Sequence, residues 1–243
     1  AEVGIYASAA GLVTRCLGLV FAPIMLAAHP LIFSAWTTGD KTRVQHLITT
    51  FSKYYIMMAV PALVYMGILG KDLVRILLGP EYRQCYVIIP ILATGYAIWQ
   101  FSMFGHKGLE LKQQTRTMFH LVIVCAVVNV VLNFIFVPIY GYIAAAFGGL
   151  VGYSLYPILV FYKTRAFLKW VLPWQSIVKI ALSSLVLMGC LLLPKISLIN
   201  SSNEVYLVIL TLASAFAYMG MLHLTKEFRF RPWFVRMTRH SQS

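Results

Sequence analysis

The sequence predicts an all-α, polytopic membrane helix bundle with seven transmembrane helices. Of the 243 residues, 60% are hydrophobic and only 11% are charged, and the mean hydropathy is +0.80. A soluble domain has about 25% charged residues, and one core could not shield so much apolar surface from water. The apolar residues also lie in long runs, and about 20 such residues of helix cross the roughly 30 Å hydrocarbon core of a bilayer.

Seven apolar runs follow one another along the chain, and within lipid the backbone must satisfy its own hydrogen bonds, which favours helices. They cover residues 3–36, 54–70, 85–104, 118–138, 141–162, 175–193 and 205–224. The first run is longer than one crossing needs, and it predicts one protruding helix that bends near Pro23 or Pro30. We divide the chain into a part with five spans, 1–170, and a part with two further spans and a basic tail, 171–243.

The charges between the runs predict the orientation in the membrane. Lys and Arg number 20 against 7 Asp and Glu, but the cations lie between apolar runs, so we expect no nucleic-acid partner. With the gaps assigned alternately to two sides, fifteen cations including Lys41 and Lys163 fall on one side, and Arg15 lies inside a helix. The cation-rich side is cytoplasmic, which predicts a periplasmic N-terminus and a cytoplasmic C-terminus. The cations on the outer side are Lys71, Arg75, Arg83 and Lys195.

The start of the chain suggests a longer protein. It begins at Ala1 without Met or a signal-peptide n-region and enters a membrane helix almost at once. We therefore expect this chain to be part of a longer protein.

Residues that could perform catalysis or hold a metal are sparse. No carboxylate pair lies inside the membrane, and the sequence has no HExxH, Gly-rich phosphate loop or nucleophile elbow, so we expect neither an enzyme nor a cofactor. His29, His120 and His223 occur singly near helix ends, which favours a solvated or hydrogen-bonded imidazole. The four cysteines lack CxxC spacing, which indicates thiols without a metal or a disulfide. They are Cys16, Cys85, Cys125 and Cys190, and the acids, all in loops or at helix ends, are Glu2, Asp40, Asp72, Glu81, Glu110, Glu204 and Glu227.

Arg15 is the first candidate for substrate binding. About twelve residues at 1.5 Å of rise separate it from the start of its run, which places it near the middle of the membrane. An arginine there costs about 2.5 to 3.5 kcal/mol on insertion scales and tends to face the protein interior or an aqueous cavity. Its guanidinium either binds an anionic ligand group such as phosphate or hydrogen-bonds to a neighbouring helix.

Gln100, Asn129 and Asn133 are three further candidates for the substrate cavity, since each is polar within an apolar helix. The two Asn are four residues apart and share one face of their helix. Hydrogen bonding between helices, worth about 0.6 kcal/mol on average, is favoured over substrate contact for these residues.

Three segments carry a family resemblance. They are VGIYASAAGLV (3–13), LLGPEY (77–82) and LNFIFVPIYGYIAAAFGGLVGYSLY (132–156). In this order they resemble the Wzx-like O-antigen and exopolysaccharide flippases of the multidrug, oligosaccharidyl-lipid and polysaccharide (MOP) exporter superfamily. The most specific signal is Asn129 and Asn133 followed by Pro138, Gly141 and the pair Ala144–Ala145, since an Asn-bearing helix, a Pro and Gly turn and a small-residue helix follow one another in that family.

The resemblance implies a fold and a function. Such proteins have fourteen helices in two lobes around a central cavity, and the segment at 3–13 would open the eighth. The chain would thus hold helices eight to fourteen and require the missing N-terminal lobe as a partner. It would move an undecaprenyl-diphosphate-linked oligosaccharide across the bacterial inner membrane by alternating access.

Three other interpretations remain open at this stage. A seven-helix receptor has the same span number and orientation, but the sequence lacks NPxxY, a DRY-like motif and a lysine for a retinal Schiff base. An integral membrane enzyme of envelope synthesis would need buried acids. A drug or metabolite exporter of the same superfamily fits the same composition.

Overall fold

A computed structural model describes residues 2–165, 167–168, 170–171, 173–196 and 204–225. Every regular element in this part of the chain is a helix, which confirms the all-α membrane fold, and the seven apolar runs coincide with helices. The elements are α1 (Glu2–Thr37), α2 (Lys41–Ile68), α3 (Gly70–Leu77), a 3-10 helix (Pro80–Val87), α4 (Ile89–Leu111), α5 (Thr115–Thr164), α6 (Trp174–Ile196) and α7 (Glu204–Leu224). The predicted basic tail from residue 226 onward, with Glu227, lies outside the described residues.

The number of spans depends on two bent elements. Five of the described helices are long and apolar enough to cross a membrane, and the 3-10 helix with α4, bent by 64°, makes a sixth. One of the five, α5, has 50 residues and a non-helical backbone at Gly141, so it forms two consecutive spans. The described helices thus provide seven crossings in this multi-pass membrane protein.

The break in α5 lies where the sequence predicts a turn between the fourth and fifth runs. Gly141 has φ +60° and ψ −146°, a backbone region that side chains with a Cβ rarely adopt. A Cβ at this position would come 2.9 Å from Glu2 Oε2, so the start of α1 closes tightly over the break. Glycine thus separates the two spans and lets α1 approach them.

The chain divides into two compact units, Ala1–Trp174 and Gln175–Ser243. In the first unit α4 is central, since it packs against α1, α2 and α5. Gly95 allows this approach, because a Cβ there would lie 3.1 Å from Leu150 Cα on α5. Lipid tails are as apolar as side chains, so close van der Waals packing at small residues stabilises helix pairs in a membrane.

The second unit contains α6 and α7. Lys179 Nζ, near the start of α6, donates to the Thr225 carbonyl oxygen after the end of α7 at 3.3 Å. The two helices are therefore antiparallel. The long side chain of Lys179 thus reaches toward a helix end, where its charge meets a polar group.

The second helix begins well before its apolar run. Asp40 caps α2, because its Oδ1 accepts from the Arg43 backbone N–H at 2.9 Å and from the Thr42 hydroxyl at 2.6 Å. The Thr42 hydroxyl and then the Arg43 amide lower the pKa of this exposed carboxyl. The cap satisfies backbone donors of the first turn and starts the helix at Lys41.

Candidate functional site

Arg15 lies on the exposed side of α1. Val13 and Leu17, two residues away on either side, are buried, so Arg15 points away from the packed core of the first unit. Leu19, four residues on, shares its face and is 79% exposed. Within the described residues no hydrogen bond or ion pair reaches Arg15. Its guanidinium therefore retains all its hydrogen-bond donors for a ligand.

Asn129 and Asn133 lie together on the first span of α5. Asn133 Nδ2 donates to Asn129 Oδ1 at 3.0 Å, so their hydrogen bond joins two turns of one helix rather than two helices. The second span packs directly against them through two glycines. A Cβ on Gly148 would lie 2.6 Å from Asn133 Oδ1, and a Cβ on Gly152 would lie 3.2 Å from Asn129 Cβ.

One oxygen of this pair has no partner. Asn133 Oδ1 is buried and makes no hydrogen bond within the part of the chain that the structure describes. A buried carbonyl oxygen without a donor is costly, and such a group is often found where a ligand or water completes it. The Asn pair can therefore accept one further hydrogen bond.

Gln100 is buried between α2 and α4. It is 3% exposed on α4, and the Tyr55 hydroxyl of α2 donates to its Oε1 at 2.9 Å. This contact is the hydrogen bond between helices that its apolar surroundings favour. Of the four sequence candidates, the structure brings together only the two Asn, whereas Arg15 and Gln100 lie on separate helices.

A polar cluster that the sequence did not predict lies near the C-terminal end of α4. We call it the His–Lys–Glu cluster, and it combines side chains from α1, α4 and α5. Lys107 is 3% exposed, and its Nζ donates to Glu110 Oε2 at 2.6 Å and to His29 Nδ1 at 3.1 Å. Its members are His29, His106, Lys107, Glu110 and Tyr156.

The cluster places Lys107, one of the cations between the apolar runs, inside the protein, whereas Glu110 lies at a helix end, as expected. Helix α4 continues to Leu111, beyond the end of its apolar run, and this places Lys107 inside the protein. The signal in the sequence was the spacing of His106, Lys107 and Glu110, which places Lys107 three and His106 four residues before the acid on one helix face. The isolated His29 belongs to the same network and, in addition, stacks on Phe33 at 4.8 Å.

The hydrogen bonds of the cluster fix its charge pattern. An ammonium has donors only, so His29 Nδ1 must accept from Lys107 and is unprotonated. His106 Nδ1 is hydrogen-bonded with the Tyr156 hydroxyl on α5, and His106 Nε2 lies 3.6 Å from Glu110 Oε1. The carboxylate of Glu110 therefore faces both Lys107 and His106. The contacts of the cluster connect α1 and α5 to α4.

Two cavities of different chemistry also occur among the described residues. The larger, about 390 Å³, lies between the two spans of α5, and its lining is almost entirely apolar. The smaller, about 240 Å³, lies beside α3 and has three cationic residues among the six that line it. The large cavity is lined by Leu132, Phe136, Tyr140, Ile143, Ala144, Phe147, Gly148 and Val151.

Comparison with solved structures identifies the fold. The chain is similar to the lipid II flippase MurJ in an inward closed conformation, with a TM-score of 0.74 over 93% of this chain. The chain therefore has the same fold as that part of the MurJ structure. It spans 48% of the length of that MurJ chain and is 16% identical to it. No protein-family profile and no curated protein sequence matches the chain.

The fold comparison shows on which helix each candidate residue lies, and nothing about its role. The polytopic helical membrane architecture expected from the sequence is confirmed. Arg15 lies on α1 and the Asn pair on α5 of this fold.

Proposed function

We propose that this protein moves an undecaprenyl-diphosphate-linked oligosaccharide across the bacterial inner membrane in O-antigen or exopolysaccharide synthesis. The protein acts as a transporter and not as an enzyme, and it binds its cargo by the anionic diphosphate. The support comes from the flippase fold, the resemblance of three segments to Wzx-like flippases and the state of Arg15.

The observation that carries the proposal is the exposed guanidinium of Arg15 in the middle of an apolar helix. An unpaired arginine at this depth is costly unless it meets water or an anion. A diphosphate offers several charged oxygens, and guanidinium binds such groups by paired, charge-assisted hydrogen bonds. The polyprenyl chain of the cargo can stay in the bilayer while the charged head crosses beside Arg15.

The complete transporter comprises more than the seven helices of this chain in this proposal. The chain spans about half the length of the flippase that it resembles structurally. A second lobe that packs beside the exposed face of α1 would enclose Arg15 in a cavity, and alternating access would result from rocking of the two lobes.

The test replaces Arg15 in the protein reconstituted into liposomes with fluorescent lipid-linked oligosaccharide. Arg15→Ala should slow translocation about tenfold or more, because hydrogen bonds to charged groups contribute about 1.5 to 3 kcal/mol. Arg15→Lys retains the charge but loses the planar fork, so it should restore only part of the rate.

A matched control removes a different exposed arginine. Arg116 lies in the first turn of α5, and Arg116→Ala should translocate within about twofold of the unmodified protein. If Arg15→Ala translocates at the unmodified rate with normal abundance in the membrane, Arg15 is a packing residue and the proposal fails.

The apolar cavity favours a second candidate function, export of a small lipophilic compound by a member of the same superfamily. Its volume of about 390 Å³ lies within the usual range for small-molecule sites. Phe147→Ala enlarges this cavity. Altered efflux of a lipophilic dye by this variant, together with unchanged movement of lipid-linked oligosaccharide, would support the exporter over the flippase.

A further inference from the structure

We propose that the small basic cavity beside α3 binds the phosphate group of a lipid at the outer surface of the membrane. The cavity lies between α3 and the 3-10 helix and has a volume of about 240 Å³. This volume is below that of typical drug-sized pockets and suits a phosphate or diphosphate head rather than an oligosaccharide. It is lined by Lys71, Asp72, Arg75, Arg83, Gln84 and Tyr86.

The residues that line the cavity carry a net positive charge, which favours an anion. Arg75 Nη2 lies 3.8 Å from Asp72 Oδ1. The one acid among the lining residues thus forms an ion pair with one of the three cations. Lys71 and Arg83 are exposed and have no ion pair within the described part of the chain. A phosphate could therefore meet two free cations, one of which has the planar donor fork that matches its oxygens.

The distribution of cations along the chain makes this cavity unusual. Only four of the 20 Lys and Arg fall on the side that the loop charges predict to be outside, and three of them line this cavity. Lys and Arg are depleted from the outer loops of membrane proteins, so three of them together in one outer segment depart from this trend. Their concentration at one pocket indicates a binding requirement at this site.

The surroundings of the cavity fit the membrane interface. Ile76 and Leu77 at the end of α3 are 48% and 56% exposed, and Val87 of the 3-10 helix is 44% exposed. The 3-10 helix is bent by 64° from α4 and does not continue the direction of the spanning helix. Basic residues beside exposed apolar ones are typical of an element at the level of lipid headgroups.

The cavity also lies at the same end of the first unit as the start of α1. A Cβ on Gly4 would lie 3.5 Å from the Tyr82 ring, so the 3-10 helix packs on the first turns of α1. Arg15 lies on the same helix about 16 Å of rise further along. If the proposed function holds, a diphosphate that leaves Arg15 on the outer side would next meet this pocket.

Two lipids provide the required chemistry, an anionic phospholipid of the bilayer and the diphosphate of the flipped cargo. The test measures lipid binding to the full chain in detergent by native mass spectrometry. The probes are phosphatidylglycerol, undecaprenyl diphosphate and uncharged diacylglycerol. Lys71→Gln/Arg83→Gln should weaken binding of the phosphate-bearing probes about 25-fold, since each interfacial cation contributes about fivefold.

A matched double variant removes two exposed cations from the opposite end. Lys41→Gln/Arg116→Gln should bind both phosphate-bearing lipids like the unmodified protein. If the first double variant fails to fold, Arg83→Gln alone should still show a loss of about fivefold. Binding of diacylglycerol should be the same in every variant.

The outcomes separate the sources of the phosphate. Loss of phosphatidylglycerol binding alone identifies a bilayer lipid, and loss of undecaprenyl diphosphate binding identifies the cargo. Equal binding of the phosphate-bearing lipids by pocket and control variants overturns the inference. Intact pocket-dependent lipid binding in a protein that moves no oligosaccharide would contradict the proposed function and leave this inference standing.

Discussion

Lys107 has its charge inside the protein because α4 continues for two turns beyond its apolar stretch. A buried ammonium is unfavourable unless it is paired and hydrogen-bonded, and both partners are present here. Glu110 supplies the charge and His29 an additional acceptor. The arrangement ties α1 to α4 through one side chain, while His106 and Tyr156 tie α4 to α5.

We predict that Lys107→Met destabilises the protein by about 1 to 3 kcal/mol. The change leaves Glu110, whose side chain is 27% exposed, without its closest cation, and partial exposure reduces the penalty below that of a fully buried charge. Thermal unfolding in detergent measures the effect. Lys107→Met/Glu110→Gln should recover part of the loss, because the double variant contains no unpaired charge.

The control for this prediction is Lys112→Met, one turn further on. Lys112 is exposed and contacts only the Phe167 ring, at 4.4 Å, among the interactions of the described residues. Its replacement should cost about 0.5 to 1 kcal/mol at most. Equal destabilisation by Lys107→Met and Lys112→Met would show that the buried cluster does not hold the helices together.

At the level of elements, the start and end of each helix were harder to predict than its existence. Apolar runs show where lipid contacts a helix, but α2 and α4 both extend into polar sequence. An Asp40 cap begins α2 at Lys41, and a paired lysine allows α4 to continue to Leu111. Hydrogen bonds between distant residues such as His29 and Lys107 are set by tertiary packing, so neither hydropathy nor spacing alone could locate them.

The break in α5 gives the prediction at this scale. Gly141→Ala should destabilise the protein by about 1 to 3 kcal/mol, because a Cβ is strained at φ +60° and ψ −146° and would meet Glu2. Thermal unfolding again measures the change. Gly67→Ala is the matched control, since no atom lies within 4 Å of a Cβ there, and alanine in α2 should be neutral or stabilise by up to about 1 kcal/mol.

A loss at Gly67 as large as that at Gly141 would mean that added volume, and not backbone conformation, decides the outcome. A stable Gly141→Ala protein would show that α5 can pass this position as a regular helix. Either result would contradict the assignment of the break as a fixed turn between two spans.

At the scale of the whole molecule, composition and run length were sufficient to predict the membrane fold. Lipid imposes helices and sets their length, so seven runs led to seven spans before any contact was known. The candidate site was less accessible to the same reasoning. Depth identified Arg15 and the Asn pair as unusual, but only packing shows that Gln100 is used between α2 and α4.

The contacts at the two ends of the first unit agree with helices that alternate in direction along the chain. At one end, Glu2 meets Gly141, and Tyr82 packs near Gly4. At the other end, Lys112 lies over Phe167, just after the C-terminus of α5. Lys71, Arg75 and Arg83, which the loop charges predict to be outside, belong to the first end, and Lys112, which they predict to be inside, belongs to the second.

We predict from this division that Lys41 and Lys163 face the cytoplasm and that Arg83 faces the periplasm. Single cysteines at the three positions, in a background in which the four native cysteines are replaced by serine, report the sides of the membrane. A membrane-impermeant maleimide applied to intact cells with a permeabilised outer membrane should label only Arg83→Cys. Opening the inner membrane should then expose Lys41→Cys and Lys163→Cys as well. Labelling of Lys41→Cys and Lys163→Cys before the inner membrane is opened would reverse the orientation and place the basic cavity on the cytoplasmic side.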